Sequence, residues 1–194
     1  MESHSHNPDR HIKPELTVEL AEGFRAYIKE GESLVRSGNY AQAIEHFRNS
    51  QEMEKIGWKD CSGNARSILL MKTPIQEECR KLAHSIATNS TAGGGVVKLS
   101  EIRFMNSVPE SDRILPVELQ HDIALVYLEE WLHVLQEIQG KSLTGVSFAG
   151  QPDAEIDVAA YMQQNEISMT DTFLERYDRG KALESLKQTK ESSG

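Results

Sequence analysis

The stretch PVELQHDIALVYLEEWLHVLQEIQG, residues 116–140, decides the fold of this chain. Pro116 suits the first turn of a helix and Gly140 suits the position just past its end, so the stretch predicts one long helix. Its apolar residues recur at helical spacing and form one broad stripe, made of Ile123, Ala124, Tyr127, Leu128, Trp131, Val134, Leu135 and Ile138. Such a stripe is typical of an amphipathic helix.

Three polar residues lie off this stripe: Glu129, Glu130 and His133. Glu129 and His133 are four residues apart, so their side chains lie on one face, a turn apart, and can reach a common point. In one interpretation the helix exposes these charges to water, and the Glu/His pair is a modest surface interaction. In the other, the two side chains are ligands of one metal ion, since zinc peptidases hold zinc from adjacent turns of a helix.

Residues 129–133 read EEWLH, which differs by one residue from H-E-x-x-H, the zinc-peptidase signature. The strand-like SEIRF stands before this helix, and DAEIDVAAYM stands after it. With these neighbours, the segment from about residue 96 to residue 179 resembles gluzincin-type metallopeptidases. In that family a strand precedes the metal-binding helix, and a following helix supplies an acidic third ligand. The resemblance implies a zincin-like α+β domain with a small sheet.

The resemblance also implies a site built from the two helices. Its members would be Glu129, His133 and Glu155 as metal ligands, Asp153 or Asp157 as substitutes for Glu155, and Glu130 as general base.

The departure from the family pattern is Glu129, which stands where the family has histidine. A second carboxylate ligand would partly neutralise zinc and make it a poorer Lewis acid, so that bound water would be less acidic. The resemblance therefore implies a degenerate, non-catalytic metallopeptidase that acts in protein binding or regulation. Such a protein would either hold no cofactor or hold zinc. Two alternatives stay open: an active metal-dependent peptidase with a Glu/His/Glu site, and a purely helical protein-interaction module.

Before this segment, residues 27–50 (YIKEGESLVRSGNYAQAIEHFRNS) resemble one tetratricopeptide repeat in their small and aromatic positions. Small residues such as Gly31 and Ala43 would let two antiparallel helices approach closely, and Ser-Gly-Asn at 37–39 supplies the turn. One such hairpin cannot bury both of its faces. We expect it to pack on the rest of this chain, with a dedicated peptide groove as the alternative.

The segment between the hairpin and the long helix mixes several signals. Residues 67–72 form a short apolar run that fits either a buried strand or the end of a helix. Thr73 as N-cap and Pro74 at the first helical position predict a helix to about residue 88, which stops in the loop NSTAGGG. Apolar and polar residues alternate over residues 99–104 and predict a strand.

After Gly140 the sequence predicts a loop, a helix over about residues 154–164 and a last helix over about residues 170–187. The predicted domains are a disordered tail (1–14), the helical hairpin (15–60), the zincin-like α+β domain (61–187) and a second tail (188–194). The whole is predicted to be predominantly helical.

The composition bounds the function further. The chain has 194 residues, of which 38% are hydrophobic and 26% charged, with a formal net charge of −9. This charge argues against binding to nucleic acid or to an anionic membrane, because no basic stripe can neutralise phosphates. Cys61 and Cys79 are predicted to be free, partly buried thiols in a reducing compartment, with a single disulfide bridge as the alternative. No secretory signal and no run of about 18 apolar residues is found, so we expect a cytoplasmic protein. The role in protein binding that the resemblance implies leads us to expect a protein or peptide partner.

Overall fold

The computed structural model describes residues 15–48, 50–61, 68–145 and 151–175, the side chains of residues 151–153 excepted. Its helices are α1 (Val18–Arg36), α2 (Tyr40–Arg48), α3 (Glu52–Lys55), α4 (Gln76–Asn89), α5 (Val117–Gln139), α6 (Gln151–Gln164) and α7 (Asp171–Leu174). Its strands are β1 (Lys59–Asp60), β2 (Ile68–Leu70), β3 (Thr91–Gly93), β4 (Val96–Lys98) and β5 (Ile102–Phe104). A 3-10 turn, Glu110–Asp112, precedes α5. The fold is the predicted predominantly helical α+β class.

Helix α5 is the centre of the fold and is buried along most of its length. Leu125, Val126 and Leu132 lie off the predicted apolar stripe and are as buried as its members. Helices α1, α2 and α4 pack on α5, as do α6, α7 and strand β3. The helix ends as predicted at Gly140, which adopts the left-handed conformation (φ 65°) that glycine tolerates best. The interpretation in which Glu129 and Glu130 are exposed to water is thus wrong, since both side chains are almost fully buried.

The predicted N-terminal hairpin is formed by α1 and α2. The turn over residues 37–39 includes Gly38 at a positive φ of 77°. Gly31 is required for close packing, because a Cβ added there would lie 2.1 Å from Cζ of Phe47 on α2. The hairpin packs on the rest of the chain, as expected: Phe24, Tyr27 and Phe47 surround Trp131 of α5 at ring-centroid distances of 5.2, 5.4 and 5.1 Å.

One hydrophobic core joins the two segments that the sequence divides at residue 60. It runs from Phe24 in α1 through the whole of α5 to Phe173 in α7. The hairpin therefore shares its core with the segment that follows it.

The strands form two small sheets among the described residues. Strands β1, β4 and β3 lie in that order, with β1 parallel and β3 antiparallel to β4, and a separate parallel pair joins β2 to β5. The predicted extent of the strand over 99–104 is wrong, since residues 99–101 lie between β4 and β5 and belong to neither strand. The reason is Ser100, which is fully buried and bonds through its amide to Ser90 Oγ (3.0 Å) and through its hydroxyl to Ile86 O (3.1 Å). The ambiguous run at 67–72 contains strand β2 at Ile68–Leu70, so it is a strand and not the end of a helix. The presence of strands also excludes a purely helical architecture.

Some predicted boundaries shift. Ile75 is extended (ψ 165°) and stands at the N-cap of α4, so Thr73 is not the cap and Pro74 lies before the helix. The predicted loop NSTAGGG contains β3, which continues into a tight turn at Gly94 and Gly95. Helix α6 begins at residue 151, earlier than predicted, and α7 begins as predicted with Thr170 as its cap.

Several expectations fall on residues outside this description: both tails (1–14 and 188–194) and the continuation of the last helix over 176–187. Cys61 and Cys79 are free and buried, as predicted. No helix among the described residues has the length and apolar character needed to cross a membrane.

Candidate functional site

A cleft of about 670 Å³ lies between the C-terminal half of α5, strand β3 with its turn, and the first turns of α6. Helix α5 supplies a polar wall. The facing wall is made of small residues, among them Ala87, Ala92, Gly93 and Gly94. A Cβ added to either glycine would meet nothing within 4 Å, so this wall borders open space. The cleft has the volume of a typical ligand site.

Four residues that the resemblance assigned to a metal site line this cleft together: Glu129, Glu130, His133 and Glu155. Glu129 is only 2% exposed and Glu130 only 5%. Carboxylates are costly to remove from water, so buried carboxylates require compensating partners. The helix therefore holds two acidic groups inside the fold at the wall of a cavity, a placement that is common at functional sites.

His133 forms an ion pair with Glu129 across one helical turn, with 3.6 Å between His133 Nε2 and Glu129 Oε1. Burial of the imidazole would lower its pKa, but the hydrogen bond and charge of Glu129, followed by the charge of Glu130, outweigh burial and raise the pKa of His133 to about 9. The imidazole therefore carries a proton at neutral pH. The pair carries no net charge, and Glu130 is the neighbouring acidic residue on this wall.

Gln136 orients the His133 ring from the other side. Its Oε1 lies 2.8 Å from His133 Nδ1, and its Nε2 donates to Asp157 Oδ2 at 2.7 Å. Sequence reasoning missed Gln136, although its position three residues after His133 places both on one helix face. The amide thus connects the imidazole to a carboxylate on α6.

Asp157 is fully buried and holds the loop that follows α5. Its carboxylate accepts hydrogen bonds from the backbone N–H of Leu143 (2.8 Å), from the N–H of Thr144 (3.0 Å) and from the Thr144 hydroxyl (2.5 Å). Its oxygens face this loop and Gln136, so this conformation does not bring Asp157 to Glu129 and His133 as the substitute ligand. The side chain of Asp153, the other substitute, lies outside the described residues.

The β3 side of the cleft is a sheet edge. Strand β3 pairs with β4 on one side, and no other described strand pairs with it. Beyond the strand, Gly94 N donates to Glu137 Oε1 at 3.2 Å, so a third acidic residue of α5 tethers the turn to the helix. Nothing in the sequence pattern indicates Glu137 or this edge, because NSTAGGG reads as a loop. The cleft thus combines a strand edge with an acidic helix.

The site meets only part of what a zinc centre needs. Two ligands of one tetrahedral zinc ion lie roughly 3.4 Å apart, which is close to the 3.6 Å between Glu129 and His133. The hydrogen bond at His133 Nδ1 is also the kind that orients metal-binding imidazoles. However, no group of three or more His, Cys, Asp or Glu side chains in the described part of the chain is arranged to hold a metal ion. A zinc ion would also have to displace the His133 proton. The ligand set is therefore incomplete in this conformation.

Comparisons with known proteins assign no family to the chain. No protein-family model matches it, and neither the curated proteins nor the solved structures searched contain a match.

Proposed function

We propose that this chain is a non-catalytic, metallopeptidase-like protein that binds an extended segment of a partner protein in the cleft between β3 and α5. The proposal rests on one observation: a single cleft of about 670 Å³ is bordered both by the edge strand β3 and by the residues of the degenerate motif.

An edge strand is suited to this role because an extended segment can add to it as a further strand. The main-chain hydrogen bonds then supply affinity, and the side chains that point into the cleft supply specificity. The small residues of β3 leave room for such a segment, since the Gly93 and Gly94 positions border open space. The acidic wall of α5 would meet the side chains of the bound segment.

The absence of catalysis is inferred from the chemistry of the donor set. Glu129 brings a second carboxylate to the position of a histidine, and its pairing with His133 favours the protonated imidazole. The carboxylate would lower the Lewis acidity of a bound zinc ion, and the protonated imidazole opposes metal binding at His133. Glu130 keeps the position of a general base, but an activated water also requires an electrophilic partner.

The test uses a pool of acetylated, amidated peptides of alternating threonine and valine with one variable central position. Binding should shift the backbone amide NMR signals of residues 91–94 and leave the peptides intact by mass spectrometry, with and without added zinc. A pool with N-methylated backbones is the matched control and should shift nothing, because it cannot pair with β3. If neither pool shifts these signals, the proposed function is wrong.

A second candidate, an active metal-dependent peptidase, is favoured by the 3.6 Å between Glu129 Oε1 and His133 Nε2 and by the hydrogen bond that His133 Nδ1 donates to Gln136 Oε1. It predicts stoichiometric zinc that is lost in His133→Ala. It also predicts chelator-sensitive cleavage of the peptide pool that is abolished by Glu130→Gln. The non-catalytic proposal predicts neither result.

A further inference from the structure

The cleft has an uneven charge. Among the described residues, its lining includes four glutamates, Glu129, Glu130, Glu137 and Glu155, and no lysine or arginine. His133 is the one cationic group among the described lining residues, and it is paired with Glu129. Glu130, Glu137 and Glu155 therefore make the described lining of the cleft acidic.

The acidic groups are spread along the cleft. Glu130 and Glu137 are two turns apart on α5, which is about 10 Å at 1.5 Å per residue, and Glu155 stands on α6. On the opposite wall β3 runs beside them. In a strand added to β3, alternate side chains would point the same way at intervals of about 7 Å. One or two side chains of such a strand would therefore face carboxylates.

We propose that the segment bound in this cleft is basic, with an arginine side chain directed at the acidic wall of α5. This inference rests on the proposed function and names the class of its partner. Charge complementarity supports it, since a cationic side chain is attracted to a cleft whose described lining carries several carboxylates. Arginine suits the site better than lysine, because its planar guanidinium pairs with carboxylates through two parallel hydrogen bonds and is more weakly hydrated.

The experiment uses the full chain and the threonine–valine host peptide with arginine, lysine, citrulline or leucine at the central position. Citrulline matches arginine in shape and lacks its charge. Fluorescence anisotropy should show that the arginine peptide binds about tenfold or more tightly than the citrulline peptide, because hydrogen bonds between charged groups exceed neutral ones by roughly that factor. Lysine should be intermediate, and added salt should weaken the preference.

Variants of the protein test which glutamates cause the preference for the arginine peptide. Glu137→Gln and Glu155→Gln should each reduce the preference for arginine over citrulline, while Glu110→Gln, an exposed glutamate on the 3-10 turn, should leave it unchanged. Circular dichroism of each variant confirms that it is folded.

The outcomes separate the inference from the proposed function. Equal affinity for the arginine and citrulline peptides, with amide shifts still in β3, overturns the inference and leaves strand addition standing. No binding by any peptide overturns both. Binding of free arginine amide as tight as that of the arginine peptide also overturns the inference, because the cleft would then recognise a small cation.

Discussion

The buried pair of His133 and Glu129 should make the stability of the fold depend on pH. The pKa of His133 is raised from 6.5 to about 9 in the folded chain, through the hydrogen bond and charge of Glu129 acting against burial. A group whose pKa is higher in the folded state stabilises it fully below the unfolded pKa. This contribution is lost as the pH rises through the folded pKa. The loss should therefore fall between about pH 6.5 and pH 9.

The expected magnitude follows from the two pKa values. Raising the pKa from 6.5 to about 9 corresponds to about 3 kcal/mol of unfolding free energy at low pH. The His133 side chain is only 16% exposed, so water screens the pair weakly. Urea unfolding followed by circular dichroism, at about pH 6 and about pH 9.5, measures the difference directly.

The variant His133→Gln isolates this pair from the other titrating groups. It should lose most of the difference in unfolding free energy between the two pH values, since its neutral amide cannot titrate. The control is His84→Gln, because His84 is an exposed histidine on α4, and this variant should keep the dependence of the parent chain. If His133→Gln shows the same pH dependence as the parent, the pair is not an ion pair in solution and the reasoning fails.

Two further changes test the packing and the loop. Gly31→Ala should lower the unfolding free energy by about 1–3 kcal/mol, because its methyl group would overlap the Phe47 ring. Gly23→Ala on the same helix meets nothing and should raise it by about 0.5–1 kcal/mol; equal effects in thermal melts would contradict this packing. Asp157→Asn should cost about 1–3 kcal/mol and speed amide hydrogen exchange at Thr144, because an amide nitrogen would face hydrogen-bond donors. Slow exchange in that variant would show that the loop is held in another way.

Local signals in the sequence were enough to predict α5 and the N-terminal hairpin. Pro116 and Gly140 mark the ends of α5 by their own backbone preferences, and Gly31 with the turn at 37–39 predicts the hairpin. The strand over 99–104 was less predictable. Its interruption at Ser100 depends on Ser90 and Tyr127, which lie far away in the sequence.

Some members of the site were predictable, and its environment was not. The helical spacing of Glu129 and His133 placed them together, and the resemblance nominated Glu155 from the next helix. The burial of Glu129 could not be read from the sequence, because it results from β3 and α6 packing over a face that looks hydrophilic. Asp157 shows the same limit, since its partners are backbone groups of a loop, which carry no residue-specific signal.

The aromatic contacts of Trp131 also bear on how this chain can be handled. Because Phe24, Tyr27 and Phe47 cover the indole, removing the first two helices would leave a large apolar surface of α5 in contact with water. Such a truncated product would be prone to self-association. Biochemical work on the acidic cleft therefore needs both halves in one polypeptide, and the hairpin is not a module that can be transplanted alone.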